Sequence, residues 1–234
     1  MELIKATDLN NDDSCYLIYG NPGVGKTSSV KYLPGKTLVI NIDKSAKVLK
    51  GVKNITIAKI DTHKIWESWL KTVKELFDGE AEPFDNIVID NVSELFRACL
   101  ANLGREGKNN RVPSQADYQR VDFTILDSLR ALLQLGKRIV FIAWETSDKW
   151  TDEGGIIYNR VMPDIREKIL NNFLGLTDVV ARIVIKRTDD GDDVRGFILQ
   201  PSNSVYAKNR LDDRKGCKVE ELFNFGGDTP DETT

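Results

Sequence analysis

The sequence predicts an α/β protein with a mostly parallel central sheet flanked by helices, and three observations lead to this fold class. Short apolar runs, rich in β-branched and aromatic residues, recur along residues 15–144. Helical patterns, with apolar residues three to four positions apart, lie between these runs. The runs are mostly continuous rather than alternating, which is typical of strands covered on both faces. Strands that alternate with helices favour parallel pairing, because each helix provides a crossover.

The individual elements follow in chain order. Strands are predicted at residues 15–19, 37–42, 55–60, 87–89 and 139–144. Helices are predicted at residues 64–77, 91–103, 114–135 and 163–173. Ser114 and Asp117 have the spacing of a capping box at the start of the third helix. A C-terminal β-hairpin is predicted where the apolar runs 179–186 and 197–199 flank the turn-forming residues 189–193.

The chain is predicted to form one domain over residues 1–225. Within it, the pattern changes after Trp144 to a polar segment with Gly154 and Gly155, and residues 226–234 are predicted to be an acidic, disordered tail. Residues 220–234 hold five of the 36 acidic residues and no basic residue. Residues 1–219 therefore carry 31 acidic and 33 basic residues. The body is therefore close to neutral, and the net charge does not exclude local binding of nucleic acid.

Composition excludes several classes of protein. The 234 residues are 41% hydrophobic and 29% charged with a net charge of −3, which excludes a histone-like polycation. The widely separated Cys15, Cys99 and Cys217 and the single histidine, His63, disfavour a zinc site and a Ser-His mechanism. No apolar run approaches the roughly 18 residues of a membrane helix. With no signal-peptide pattern either, we expect a cytoplasmic protein without a membrane partner.

A phosphate-binding loop is the strongest motif. Residues 20–27 match G-x-x-x-x-G-K-[ST] at every fixed position, directly after a predicted strand and before a predicted helix. The loop glycines let backbone N–H groups surround phosphate oxygens, Lys26 reaches the β- and γ-phosphates, and the Thr27 hydroxyl binds Mg²⁺. We therefore predict ATP and Mg²⁺ as cofactors. The predicted binding residues are Gly20, Asn21, Pro22, Gly23, Val24, Gly25, Lys26, Thr27 and Ser28.

A second metal-binding group is predicted on a neighbouring strand. Asp90 follows the apolar run 87–89, where a carboxylate completes the metal shell of such a loop. Asn91 either accompanies Asp90 or caps the helix that follows.

With these motifs the chain resembles the RecA-like branch of P-loop ATPases, and more narrowly the phage-encoded RecA-like single-strand annealing recombinases. The resemblance covers roughly residues 14–225 and is carried by the segments 19–27, 85–90, 113–118, 136–145 and 205–210. The first two are shared by many ATPases, and the last three discriminate more. The resemblance implies ATP hydrolysis, assembly with copies of itself into a ring or filament, and DNA recombination in the cytoplasm of a host bacterium.

The resemblance also implies a role for Lys208 and Arg210. In RecA-like enzymes a similar Lys-x-Arg reaches across a subunit interface to the γ-phosphate of the neighbour's ATP, as an arginine finger does. Taken by themselves, these residues favour a solvated basic turn, because Arg214, Lys215 and Lys218 lie close by in the sequence, and it is the resemblance that favours the interface role.

One departure from the family concerns the attacking water. RecA-like enzymes generally carry a glutamate after the second strand, whereas this chain has Asp43 and no glutamate there. Asp43 itself, or Glu145 at the end of the 139–144 strand, is a candidate to position the water. The third alternative is a slow or nucleotide-switched protein.

Two segments combine features suited to single-stranded DNA. One is a basic loop, and the other pairs aromatic residues with cations. The candidates are Arg105, Lys108, Arg111, Lys149, Trp150 and Arg160. The alternative is that both segments are solvated surface loops, with Trp150 packed on the body.

The leading functional hypothesis is a self-assembling, ATP-hydrolysing recombination protein that binds single-stranded DNA. The alternative is an ATP-dependent loader or switch that acts on a replication protein, such as a helicase or single-strand-binding protein. A small-molecule kinase is disfavoured, because no acceptor-substrate motif accompanies the ATP site.

Overall fold

The computed structural model describes residues 3–188 and 190–224, and its centre is a single sheet. The strands are β1 (Cys15–Gly20), β2 (Thr37–Asn41), β3 (Ile55–Lys59), β4 (Asn86–Asp90), β5 (Arg138–Thr151), β6 (Ile157–Pro163), β7 (Val179–Arg187), β8 (Asp193–Ile198), β9 (Lys208–Asn209) and β10 (Gly216–Lys218). They pair in the order β10-β8-β7-β1-β5-β4-β2-β3, with β6 on β5 and β9 on β7. The stretch from β7 to β3 is parallel, whereas β6, β8, β9 and β10 pair antiparallel.

Apolar clusters cover both faces of the sheet. The helices are α1 (Lys26–Ser29), α2 (Ile65–Glu75), α3 (Val92–Glu106), α4 (Gln115–Leu132) and α5 (Glu167–Leu176). Successive residues of β1 point to opposite faces, so Leu17 joins the cluster formed with α2 to α5, and Ile18 joins the other. That second cluster is closed by Val30 after α1 and by Leu222 and Phe223. Burial on both faces explains why the strand sequences are continuous apolar runs.

The predicted fold class is confirmed, and most predicted elements are present. The capping box also forms: the Asp117 N–H donates to Ser114 Oγ at 3.3 Å, and the Ser114 N–H donates to Asp117 Oδ2 at 2.8 Å. The predicted C-terminal hairpin is β7 with β8. The predicted tail at 226–234 lies outside the described residues. In the described part, no helix combines the length and the apolar character needed to cross a bilayer.

The polar segment after Trp144 forms two strands that the sequence did not predict. β5 continues past the parallel sheet to Thr151 and pairs antiparallel with β6, from Glu145 opposite Pro163 to Thr151 opposite Ile157. This β5–β6 hairpin is mostly exposed, and its strands lack the apolar run that marks buried strands.

The parallel strands bring the predicted site residues to one edge of the sheet. Gly20, at the end of β1, is in register with Trp144 on β5. On the far side of β5, Asp90 at the end of β4 is in register with Asn41 on β2, just before Asp43. Because parallel strands share a carboxyl edge, segments far apart in sequence meet there.

Candidate functional site

The loop after β1 has a conformation that requires its glycines. Gly23 and Gly25 have φ angles of +83° and +103°, in the left-handed region. At Gly20 a Cβ atom would lie 2.8 Å from the Ile183 side chain and 2.9 Å from its carbonyl oxygen. The sequence pattern is therefore matched by a turn that only glycine accommodates at these positions.

Lys26 lies folded onto this loop. Its ammonium donates to the carbonyl oxygens of Gly20 at 2.8 Å and Asn21 at 2.9 Å. Burial lowers the pKa of Lys26, and the nearby carboxylates of Asp90 and Asp43 oppose this shift. The cation is thus held in the loop by two weak acceptors that phosphate oxygens can replace.

Asp90 is the centre of a network of hydroxyl groups. Its Oδ2 accepts hydrogen bonds from Thr27 Oγ1 at 2.7 Å and Ser45 Oγ at 2.6 Å. Its Oδ1 is buried and has no hydrogen-bond partner among the described residues. Burial, together with the Asp43 charge, raises the pKa of Asp90 to about 6. A buried carboxylate with one vacant oxygen is suited to a positively charged ligand.

These groups fit Mg²⁺ shared with a nucleotide. Mg²⁺ is usually bound through one or two carboxylates and the substrate phosphates, and it keeps several waters. Thr27 and Asp90 line a hollow of about 270 Å³, and Asp43 and Ser45 lie in the same wall. Among residues 3–188 and 190–224, no group of three or more His, Cys, Asp or Glu side chains could hold a metal ion by itself.

Asp43 is held toward this hollow by two hydrogen bonds. Its Oδ2 accepts from Asn91 Nδ2 at 3.1 Å, and its Oδ1 accepts from the Ser45 N–H at 3.0 Å. Asn91 also caps α3, because its Oδ1 accepts from the Glu94 N–H at 2.8 Å. Asn91 thus acts as the helix cap and also links Asp43 to the end of β4.

Glu145, the other candidate for positioning water, is engaged elsewhere. Both of its carboxylate oxygens accept hydrogen bonds from the Arg182 guanidinium. It does not belong to the wall of the 270 Å³ hollow, whereas Asp43 does. The geometry therefore favours Asp43 of the two carboxylates.

Lys208 and Arg210, the predicted pair of interface cations, differ in their surroundings. The Lys208 ammonium donates to the carbonyl oxygens of Leu174, at 2.7 Å, and Thr177, at the end of α5. Arg210 is exposed, and its side chain forms no hydrogen bond or ion pair with any residue that the structure describes. Lys208 is used within its own subunit, and only Arg210 remains available to another.

The β5–β6 hairpin brings the second group of nucleic-acid candidates together. The rings of Trp150 and Tyr158 are 6.0 Å apart, and the Arg160 guanidinium lies 4.8 Å from the Trp150 ring. On its other side Arg160 lies 5.1 Å from the ring of Tyr206. Lys149 is exposed on the same hairpin, opposite Asn159.

The first group, by contrast, lies at the end of α3. Arg105 donates to the carbonyl oxygen of His63, which places it against the start of α2. Lys108 and Arg111 are exposed in the following loop. Within residues 3–188 and 190–224, none of these three cations lies over an aromatic ring.

Sequence reasoning missed three residues at this edge. Ser45 could have been predicted, because it follows Asp43 by two positions and therefore lies near the edge where the parallel strands end. Arg182 and Arg195 carried no such signal. Arg195 donates to the carbonyl of Val24 at 3.1 Å across 171 positions, a contact that only the tertiary fold creates.

The fold and the site together define a P-loop nucleotide-binding domain of the ATPase type. A family model for the AAA domain matches residues 12–211, and the chain belongs to that family. The search of curated proteins gave no significant match. Among solved structures, a similar one is a KaiC-like protein from the hyperthermophilic archaeon Pyrococcus horikoshii OT3, at 10% identity and a TM-score of 0.45, over 80% of this chain and 77% of that chain.

Proposed function

We propose that the chain binds ATP with Mg²⁺ and hydrolyses it. One observation carries this proposal: the Lys26 ammonium and the Thr27 hydroxyl of the phosphate loop lie beside Asp90, whose buried Oδ1 has no partner in the part of the chain that the structure describes. Lys26 supplies positive charge to phosphate oxygens, and Thr27 and Asp90 would hold the metal. Mg²⁺, when bound, neutralises charge on the phosphates.

The chain's own residues account for the remaining steps. Lys26 exchanges the carbonyls of Gly20 and Asn21 for phosphate oxygens and offsets the charge that develops on the transferring phosphoryl group. Asp43 accepts a hydrogen bond from the attacking water and orients it. Asn91 and the backbone of Ser45 fix the Asp43 carboxylate for this role.

Phosphate release by the purified full chain tests this proposal. We expect hydrolysis that requires Mg²⁺, and loss of ATP binding in Lys26→Ala. The matched control is Lys50→Ala, because Lys50 is exposed and does not line the hollow beside the phosphate loop. ATP binding without hydrolysis at any protein concentration would instead favour a nucleotide-switched protein.

Self-assembly is proposed because Lys26 is the one cation among the described residues that line the 270 Å³ hollow. Exposed Arg210, without a partner among the described residues, fits a finger that acts on the neighbour's nucleotide. We expect turnover per subunit to rise with protein concentration, and Arg210→Ala to abolish that rise while ADP still binds. Arg130→Ala, at an exposed arginine on α4, is the control. Loss of ADP binding in Arg210→Ala would place Arg210 in its own subunit's site.

Binding of single-stranded DNA is proposed for the β5–β6 hairpin. Trp150, Tyr158 and Arg160 form a cluster on one face of the hairpin, and bases stack on such rings while phosphates meet cations such as Arg160. Lys149 follows the strand alternation and lies on the opposite face. Loss of one stacking ring is expected to weaken binding of labelled oligo-dT about tenfold, as measured by anisotropy for Trp150→Ala. Phe123→Ala, at an exposed aromatic residue on α4, should leave the affinity unchanged. Equal affinities for the two variants would contradict the assignment.

Recombination by strand annealing is the role that we propose for an ATPase with this DNA site. The assay is ATP-dependent pairing of two complementary oligonucleotides, which should fail in Trp150→Ala. Assembly along a strand multiplies weak contacts, so a near-neutral subunit suffices.

The alternative function, a loader or switch, is favoured by the tip of the same hairpin. Ile156 and Ile157 are 57% and 65% exposed there, and adjacent exposed apolar residues suit a protein partner. ATPase activity that responds to a purified single-strand-binding protein or replicative helicase, and not to DNA, would support this function. Ile157→Ser should then remove the response.

A further inference from the structure

A second hollow lies on the other side of the phosphate loop. It has a volume of about 540 Å³ and shares Gly23, Gly25 and Ser28 with the 270 Å³ hollow that holds Asp90. Thr27 and Asp90 do not line this larger hollow, whereas Tyr32 does. Because the shared residues are the loop itself, a nucleotide with its terminal phosphates in the smaller hollow extends into the larger one. The volume is within the range of about 300–1,000 Å³ that small-molecule sites occupy.

Arg195 lines the larger hollow and lies against the loop that borders both. It lies on β8, and its Nε donates to the Val24 carbonyl inside the loop at 3.1 Å. Its Cδ and Nε are 3.4 and 3.5 Å from the position that a Cβ on Gly25 would take. The side chain therefore lies directly over the loop, in van der Waals contact with its backbone.

The guanidinium has unused donors. Arg195 is exposed, and Nε to Val24 is its one hydrogen bond within the described residues, where it has no ion pair. A guanidinium has five N–H donors, so the four on its terminal nitrogens remain available. Their planar fork matches two oxygens of a phosphate group.

We propose that Arg195 is a nucleotide ligand that acts in cis, binding the α-phosphate of ATP or ADP. Lys26 and Thr27 serve the β- and γ-phosphates on one side of the loop. The α-phosphate is the next group along the nucleotide and lies toward the larger hollow, where Arg195 is located. This inference rests on the proposed binding of ATP, and it makes the C-terminal hairpin β7–β8 part of the nucleotide site.

Calorimetric titration of the full chain with Mg²⁺ and either ADP or ATP tests the assignment. Because the α-phosphate is common to both, Arg195→Ala should weaken both by the same factor, about tenfold or more. Arg195→Lys keeps the charge but not the fork, so its affinity should fall between wild type and Arg195→Ala. The control is Lys186→Ala, which removes an equal charge from an exposed position on the same hairpin.

Three outcomes would overturn the assignment. An ADP affinity in Arg195→Ala equal to that of Lys186→Ala would remove Arg195 from the site. A loss for ATP alone would place it at the γ-phosphate. Wild-type protein that binds neither nucleotide would overturn the proposed function as well, and this result needs no variant. Because Arg195 is exposed, an unchanged melting temperature should accompany the affinity change and exclude misfolding.

Discussion

Glu145 and Arg182 form a two-point ion pair, with Arg182 Nε 2.8 Å from Glu145 Oε2 and Nη2 3.1 Å from Oε1. Arg182 is in register with Tyr19 on β1, and Glu145 follows Trp144, which is in register with Gly20. The pair thus spans the end of β1 where the phosphate loop begins. The Glu145 and Arg182 side chains are only 9% and 20% exposed, so solvent screens the pair weakly.

Because Glu145 is paired with Arg182, substitutions at the two candidate carboxylates, Asp43 and Glu145, should have different effects. Asp43→Asn is expected to lower kcat about a hundredfold or more, the usual contribution of a positioned acid-base group, while ADP affinity stays unchanged. Glu145→Gln is expected to lower the melting temperature, because it leaves Arg182 with a neutral partner. Its effect on kcat should be smaller. A larger kcat loss in Glu145→Gln than in Asp43→Asn would reverse the assignment.

Asp90 gives a prediction about pH. Its pKa in the folded protein, about 6, lies above the ordinary value of 3.8 because of burial and the Asp43 charge. Ionisation of Asp90 in the folded protein therefore lowers the free energy of unfolding above about pH 6. This destabilisation disappears as the pH falls toward 3.8. Asp90→Asn should stabilise the nucleotide-free protein by roughly 1–3 kcal/mol at alkaline pH.

Urea unfolding in the presence of a chelator measures this effect. The stability gain of Asp90→Asn should shrink steadily between pH 7 and pH 4 as wild-type Asp90 becomes protonated. A gain that is constant over this range would show that ionisation of Asp90 is not its cause.

Lys208 and Arg210 should separate in their effects. Lys208→Met removes the cation that binds the carbonyl oxygens of Leu174 and Thr177, and we expect a loss of about 1–2 kcal/mol in the free energy of unfolding. Arg210→Ala should leave that free energy unchanged, because its side chain has no partner among the described residues. Thermal melting of both variants checks this, and equal losses would contradict it.

The capping box provides a prediction that is independent of function. Ser114→Ala removes the acceptor of the Asp117 N–H and should destabilise the protein by about 1 kcal/mol. Ser114→Asp retains an acceptor and should restore most of the loss. Chemical denaturation at neutral pH gives both values.

What the sequence predicted correctly has local causes. The phosphate loop, the capping box and the apolar strand that ends at Asp90 each depend on residues close together in the chain. Their patterns encode the turn, the cap and burial directly. The site edge could also be predicted, because parallel strands must end together.

What escaped prediction has long-range causes. The hydrogen bonds of Lys208 could not be predicted, because its acceptors lie 31 to 34 positions earlier in the chain. Arg195 reaches the phosphate loop across 171 positions. The hairpin beyond Glu145 is built by cross-strand pairing of mostly exposed residues, so no run of apolar residues marks it. Contacts of this kind depend on which strands become neighbours, and single-sequence periodicity does not contain that information.

β5 runs as one strand from Arg138 to Thr151. Trp144 lines the smaller hollow, and Trp150 lies six positions further along the same strand. In extended backbone this spacing is about 20 Å. β5 thus fixes Trp150 about 20 Å along the strand from Trp144 and the smaller hollow. The proposed DNA site and the proposed nucleotide site are therefore joined by one continuous strand, through which a displacement at one would reach the other.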